Sequence, residues 1–157
     1  KKRIMNCVNE NWDSLLVVSK ENFKKQCSNN SFGVANAYYA KWMSSGNKKD
    51  VHPVPIISNN ELNDFKALIQ FLKSNNVKPC FVITPLNTLA HDGLEKLGPA
   101  IDDVRKSLDE GGFTYLDMFT PNIKKYDIGV LEDIMHPYDY GWHQINKFIN
   151  ENLYCKE

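Results

Sequence analysis

The feature that most constrains the fold is an alternation of amphipathic helical segments and short apolar runs over residues 58–157. The helical segments carry apolar residues at three- and four-residue steps, whereas residues 80–83 form a continuous apolar run. Such a run is expected for a parallel strand that is covered on both faces. The predicted elements are a helix from Ser58 or Asn59 to Asn75-Asn76, a strand over 80–83, a helix that ends at Gly111-Gly112, a strand over 113–117 and a last helix capped by Asp139.

Helices and buried strands that alternate with short connections predict the α/β class, with a parallel sheet and right-handed crossovers. The chain has 157 residues, which is the size of one domain. We therefore expect a single α/β domain over 1–157, in which a helical and loop region over 1–57 packs on the regular region over 58–157. The first region is predicted to hold a helix over 11–27, a short aromatic helix and a loop over 44–60.

Helical spacing also predicts which apolar side chains face the core. Aromatic residues at such spacings pack against neighbours more often than they form a binding platform, because each one buries a large apolar area. The predicted inward set comprises Trp12, Leu15, Leu16, Phe23, Tyr38, Tyr39, Trp42, Leu62, Phe65, Leu68, Ile69, Leu72, Trp142, Ile145, Phe148, Ile149 and Leu153.

The composition excludes several kinds of function. The basic and acidic residues are equal in number, so the formal net charge is zero and no global field favours nucleic acid. The four cysteines form no CxxC pair and have no metal-like spacing with histidines, which argues against a zinc site. Cys80 lies in an apolar run and is predicted to be a core residue, whereas the other three are compatible with free thiols or with a disulfide bond.

The given sequence is predicted to contain no membrane-spanning segment. No run approaches the roughly 18 apolar residues of a membrane span, and the first residues contain no apolar region of the signal-peptide kind. The chain does not begin with Met, so we keep open an anchor upstream of Lys1.

A candidate catalytic pair lies in the loop before the last helix. An Asp three residues before a His, as in Asp133 and His136, allows the carboxylate to accept the imidazole Nδ1–H while Nε2 faces a nucleophile. Pro137 favours a loop at this position, because the residue before a proline is pushed out of the helical region. The alternative is a loop histidine beside a solvated surface aspartate.

A second candidate lies after the first predicted strand. In parallel α/β sheets ligands bind beyond the carboxyl ends of the strands, and Asn87 follows the strand over 80–83. Its amide can donate to a carbonyl or an oxyanion, or bind a substrate hydroxyl, and the alternative is a turn residue that ties the loop to itself. His91 and Asp92 either line the same mouth or form a solvated pair.

The sequence contains no convincing nucleophile for this pair. None of the serines lies in a Gly-x-Ser-x-Gly elbow or directly after a predicted strand. Cys80 is at the start of a strand, which is the wrong end of the sheet, and the other cysteines lie in terminal segments. Either the chain performs no acyl transfer, or its nucleophile lies on a segment that the chain does not contain.

Several ordered pieces of the chain resemble the C-terminal part of the DltD family, from near Lys24 to near Leu153. The pieces are Asn29-Asn30-Ser31-Phe32-Gly33-Val34 with Tyr38-Tyr39, then Ile83-Thr84-Pro85-Leu86-Asn87, Gly112-Phe113, Asp133-Ile134-Met135-His136 and Gly141-Trp142. The resemblance implies an SGNH-hydrolase-like fold, with a three-layer α/β/α arrangement around a parallel sheet. This chain would be the C-terminal portion, without the strand that carries the nucleophile.

The resemblance also implies a function at the cell surface. The family takes part in D-alanylation of lipoteichoic acid in Gram-positive bacteria and is tethered to the outer face of the membrane by an N-terminal helix. The implied roles are catalysis for His136 and Asp133 and substrate binding for Asn87, with an upstream serine as nucleophile and with no metal or cofactor. The implied partners are lipoteichoic acid or a D-alanyl carrier and the membrane proteins of the pathway. A different interpretation is a non-catalytic module that docks a membrane complex or a cell-wall polymer.

Overall fold

A computed structural model of the chain describes residues 7–53 and 60–155. Within them, helices and short parallel strands alternate, as the sequence predicts for the α/β class. The elements are α1 (Trp12–Gln26), α2 (Asn36–Tyr38) with a π-helical turn (Tyr39–Met43), β1 (Lys49–Asp50), α3 (Asn60–Ser74), β2 (Cys80–Ile83), β3 (His91–Asp92), a 3₁₀ turn (Leu94–Leu97), α4 (Gly98–Gly111), β4 (Thr114–Asp117), α5 (Asp139–Ile149) and a second π-helical turn (Asn150–Tyr154). The predicted cap at Ser58 or Asn59 lies outside the described residues.

The strands β2 and β4 form a parallel pair, with Cys80 opposite Thr114 and Ile83 opposite Asp117. Helix α3 precedes β2, and α4 connects β2 to β4, so the predicted order of helix and strand is confirmed over this region. Gly112 ends α4 with a φ of 70°, a left-handed conformation that glycine adopts without a steric cost.

One core cluster is built on the β2–β4 pair. Phe81 on β2 makes edge-to-face contacts with Phe65 of α3 and with Phe113, at centroid distances of 6.0 and 5.5 Å. The buried members of the cluster are Ile69, Ile83, Leu94, Leu108 and Phe119. Only Ile83 of β2 is buried, so the expectation of a strand fully covered on both faces, Cys80 included, is wrong for the described residues.

The predicted loop over 44–60 contains a short strand. Lys49–Asp50 pair in parallel with His91–Asp92, and the amide of Lys49 donates to the carbonyl of Ala90. A two-residue strand has no periodicity that sequence could reveal, and its pairing partner lies far along the chain.

Several side chains that were predicted to face inward are instead exposed, namely Trp42 (59%), Leu68 (46%), Trp142 (50%) and Leu153 (43%). In the π-helical turn the wider winding gives the buried position to Met43 instead of Trp42. At the start of α5 the backbone of Gly141 lies so close to Val130 that an added Cβ would stand 2.2 Å from the Val130 carbonyl oxygen. The buried side of α5 is therefore that of Gly141 and Ile145, and Trp142 points away from it.

The last helix also starts one residue away from its predicted cap. Tyr138 is the N-cap, with an extended backbone, and Asp139 is the first helical residue. A carboxylate in this first turn still interacts favourably with the helix dipole.

The two ends of the described chain are fastened together. Cys7 and Cys155 form a disulfide bond that spans 148 residues of sequence. Next to it, the buried amide of Asn150 accepts from the Val8 N–H at 2.8 Å and donates to the Val8 carbonyl at 2.9 Å. Helix α1, whose Asn11 cap accepts from the Ser14 N–H, packs against α5. None of the described helices is long and apolar enough to cross a membrane.

Candidate functional site

The predicted hydrogen bond between Asp133 and His136 is present. The imidazole Nδ1 lies 2.7 Å from Asp133 Oδ2, and the backbone N–H groups of Met135 and His136 donate to Oδ1 at 2.8 and 2.7 Å. This is an Asx turn, in which the short side chain of Asp133 takes the place of a backbone acceptor. The turn is closed by an antiparallel bridge between Leu131 and Pro137. The three-residue spacing in the sequence therefore correctly predicts this hydrogen bond.

The hydrogen bonds of the pair favour the charged form of Asp133 and select one tautomer of the His136 ring. Burial acts to raise the pKa of Asp133, but the backbone donors and the His136 ring outweigh it and leave the pKa below its ordinary value. An ionised carboxylate only accepts hydrogen bonds, so the neutral imidazole carries its proton on Nδ1 and keeps Nε2 as an acceptor. The His136 side chain is 74% exposed, which leaves that acceptor accessible to another group.

Three loops meet at the carboxyl edge of the β2–β4 pair, as the parallel-sheet rule predicts. The backbone N–H of Asn87, after β2, donates to the carbonyl of Ile134 at 3.1 Å. The hydroxyl of Thr88 donates to the carbonyl of Thr120, after β4, at 2.8 Å. The loop of the Asp–His pair is thus attached to the loop after β2, which is attached in turn to the loop after β4.

A cavity of 250 Å³ opens at the same strand edge. It is lined by residues of the loops after β2 and β4 and by α5, among them Pro85, Leu116, Phe119, Tyr126 and Gln144. A larger cavity of 570 Å³ lies at the opposite edge of the sheet, beside Cys80 and Thr114, where the strands begin.

Asn87 is fully buried, and its side-chain amide is bonded to protein atoms. Its Nδ2 donates to the carbonyls of Phe32 and Asp133, and its Oδ1 accepts from the N–H groups of Leu89 and Ala90. These contacts match the turn interpretation of Asn87 in the sequence. Substrate binding by this side chain stays a prediction, because it would require the amide to exchange protein partners for a ligand.

Asp92 is exposed, as the solvated alternative expects, whereas His91 is half-buried, and both lie on β3 instead of on a loop. The His91 Nδ1 donates to the carbonyl of Asn87 at 3.0 Å, because a carbonyl can only accept, and Asp92 forms an ion pair with Lys48 at 3.1 Å. His91 is therefore hydrogen-bonded to Asn87, which also contacts the Asp133 loop.

Sequence reasoning missed two tyrosines near the pair. Burial, and then the charge of Asp133, raise the pKa of Tyr38 above its ordinary value. Tyr126 is affected more strongly: burial first, then the charges of Asp127 and Asp133, raise its pKa, and its buried hydroxyl has no hydrogen-bond partner within the described chain. Both hydroxyls therefore stay neutral. No spacing pattern signals them, because they approach Asp133 only through the tertiary fold.

None of the described residues acts as a hydrogen-bonded nucleophile for His136. No serine or cysteine among them is hydrogen-bonded to its imidazole. The Ser19 hydroxyl contacts a different histidine, His143, and donates to the Leu15 carbonyl inside α1. Burial raises the pKa of the Cys27 thiol, which favours the protonated form and makes this cysteine a poor nucleophile. The described residues also contain no cluster of three metal-ligating side chains.

The lowered pKa of Asp133 predicts how the site responds to acid. A folded-state pKa below the unfolded one adds stability that is present above the unfolded pKa and is lost as pH falls through the folded pKa. The difference in unfolding free energy between wild type and Asp133→Asn should therefore be larger at neutral pH than in acid, and it should shrink as the pH falls below the ordinary aspartate value of 3.8. Urea unfolding at a series of pH values measures it. A difference that grows in acid would contradict the prediction.

The fold and this site define a class: an α/β protein with an ionised Asp bonded to an accessible His at the carboxyl edge of parallel strands. The model of the DltD protein family matches residues 1–153, so the chain belongs to the DltD family and the resemblance seen in its motifs is confirmed. The family connects the chain to D-alanylation of teichoic acid, a process of the cell surface. None of the curated protein sequences compared with the chain matches it.

Proposed function

We propose that this chain supplies the Asp–His part of a Ser–His–Asp triad that transfers or hydrolyses a D-alanyl ester during D-alanylation of lipoteichoic acid. The chain would form a single SGNH-hydrolase-like domain with three α/β/α layers, as the C-terminal portion of a longer protein. The observation that carries the proposal is the 2.7 Å contact between Asp133 Oδ2 and His136 Nδ1, with the rest of the imidazole exposed.

In the proposed reaction a serine from outside this chain attacks the carbonyl carbon of a D-alanyl ester or thioester. His136 Nε2 takes the serine proton as general base and then returns a proton to the leaving group as general acid. Asp133 keeps the imidazole in the Nδ1–H tautomer and stabilises the imidazolium that forms during attack. The steps use only protons and an acyl group, so the proposal includes no metal and no cofactor.

The proposed setting is the outer face of the cell membrane. The acyl acceptor or donor would be lipoteichoic acid or a D-alanyl carrier, and the membrane proteins of the same pathway would be the partners. An anchor upstream of this chain would hold the domain at the surface. Substrate binding by Asn87 would require its buried amide to leave its protein partners.

A second candidate function is a non-catalytic module that docks a membrane complex or a cell-wall polymer. It is favoured by one observation, which is that no described serine or cysteine reaches the His136 ring. The two candidates differ in whether a serine elsewhere in the complete protein is activated by His136.

Labelling with a fluorophosphonate, a reagent that phosphonylates activated serines, tests the proposal. We expect the full-length protein to be labelled at a serine outside this sequence, and the label to be lost in His136→Ala. The isolated 157-residue chain should show neither labelling nor turnover of a small activated ester above its own His136→Ala control. Exposed surface histidine His52 provides the matched control, since His52→Ala should label like wild type.

Two outcomes would contradict the proposal. Labelling of full-length His136→Ala at the wild-type rate would favour the docking module. His136-dependent turnover by the isolated chain would show instead that a nucleophile within the chain was overlooked.

A further inference from the structure

Three consecutive carbonyl groups of the loop that holds the Asp–His pair are fixed from the protein interior. The carbonyl of Glu132 accepts from the Ala35 N–H at 2.7 Å. The carbonyl of Asp133 accepts from Asn87 Nδ2 at 3.2 Å, and the carbonyl of Ile134 accepts from the backbone N–H of Asn87 at 3.1 Å. Asn87 therefore provides two of the three anchors, and they bind the residues on which the geometry of the pair depends.

The outer side of the same loop faces solvent. Met135 and His136 are exposed, and the pair is otherwise held by hydrogen bonds within the loop itself. A carboxylate is carried by a short side chain, so its position follows the main chain at Asp133 closely. The anchors from Asn87 bind the main chain at Asp133 and Ile134 directly, so they help to set where the Asp133 carboxylate, and with it the imidazole, can lie.

Asn87 is itself held in one orientation. Its Nδ2 donates to the Phe32 carbonyl at 2.9 Å as well as to Asp133, while its Oδ1 accepts from the Leu89 N–H at 2.9 Å. A rotation of the buried amide would leave these groups without partners in a site that excludes water, which costs far more than a surface hydrogen bond. The side chain joins three segments that are distant in sequence, around residues 32, 87 and 133.

We propose that Asn87 is a positioning residue for the Asp133–His136 pair: it fixes the main chain at Asp133 so that the carboxylate meets Nδ1 and Nε2 is presented outward. The catalytic consequence rests on the proposed function, whereas the effect on the imidazole does not. A misplacement of about 1 Å by a change away from the reacting atoms can reduce a rate by about 10²-fold.

The test uses two variants of Asn87. Asn87→Asp keeps the shape and the acceptor for the Leu89 N–H but loses both donors of Nδ2. Asn87→Ser keeps an acceptor for the turn and introduces no buried charge, so it is the second variant if the aspartate variant does not fold. Asn150→Asp is the matched control, because Asn150 is also a buried amide that is bonded to backbone groups, at the Val8 segment and not at the Asp133 loop.

The first readout is the tautomer of His136 in the isolated chain. Long-range ¹H–¹⁵N correlation of the imidazole, recorded at a pH at which the ring is neutral, shows which ring nitrogen carries the proton. We expect Nδ1–H in wild type and in Asn150→Asp, and a shift toward Nε2–H in the folded Asn87 variant. An unchanged tautomer in that variant would overturn the proposal, as would the same shift in Asn150→Asp.

The second readout is the rate of His136-dependent fluorophosphonate labelling of the full-length protein. Asn87→Asp should slow labelling by about 10²-fold, while Asn150→Asp should slow it by less than about 3-fold. This separates the two hypotheses. One combination of results would support positioning by Asn87 and reject the catalytic function. In it, the Asn87 variant of the isolated chain has an altered His136 tautomer, but the full-length His136→Ala protein is still fully labelled.

Discussion

Replacing His136 with alanine in the full-length protein should reduce the D-alanine content of the cell wall to the level of a strain that lacks the protein. The imidazole is the group that we propose takes the serine proton, and removal of the triad histidine of a serine protease lowers kcat by about 10⁶-fold. Asp133→Asn should be nearly as severe, because the amide keeps a hydrogen bond but favours the wrong tautomer, a change that cost about 10⁴-fold in a serine protease.

The control for this result is thermal stability. His136 is exposed at a loop, so His136→Ala should melt close to wild type, and His52→Ala should leave both the melt and the D-alanine content unchanged. Wild-type D-alanylation by a strain with His136→Ala would reject the enzymatic proposal in favour of the docking module. Lost D-alanylation with an unchanged melt would locate the defect in chemistry and not in folding.

Replacing Cys7 with serine should lower the free energy of unfolding by about 2–5 kcal/mol, which corresponds to a fall of about 4–20 °C in melting temperature. The Cys7–Cys155 bond spans 148 residues and so restricts a very large loop of the unfolded chain. Calorimetry of the oxidised chain and of Cys7→Ser measures the difference.

Cys27→Ser is the matched control for the disulfide, because Cys27 lies outside any disulfide bond and its thiol donates to the Lys24 carbonyl of α1 at 3.9 Å. This variant should change stability by less than about 1 kcal/mol. A reductant should lower the melting temperature of wild type and leave that of Cys7→Ser unchanged. Equal melting of oxidised wild type and Cys7→Ser would mean that the bond contributes no net stability.

The parts of this protein that sequence predicted are those that local spacing determines. The helices α1, α3 and α4 and the strands β2 and β4 follow from periodicity and from end signals such as Gly112. The Asp133–His136 hydrogen bond is equally local, because a three-residue separation closed by an Asx turn brings the two groups together in almost any loop that Pro137 keeps out of a helix.

The parts that sequence did not predict depend on distant neighbours. The face of α5 was misjudged because Gly141, which has no side chain to signal burial, makes the close contact with Val130. Asn87 is bonded to carbonyls 55 and 46 residues away, and no pattern around it indicates either partner. The catalytic roles of Asp133 and His136 and the substrate role of Asn87 stay predictions that the experiments above address.

The fastening of residues 7 and 155 has a mechanical consequence for a protein of the cell surface. With the two α-carbons 4.9 Å apart and covalently joined, the polypeptide between them is a closed ring. A tensile load applied to the chain on either side would pass through the sulfur–sulfur bond, and neither the strand pair nor the Asp133 loop would be stretched. Once the bond is reduced, the two hydrogen bonds between Val8 and Asn150 would be the first to bear the force.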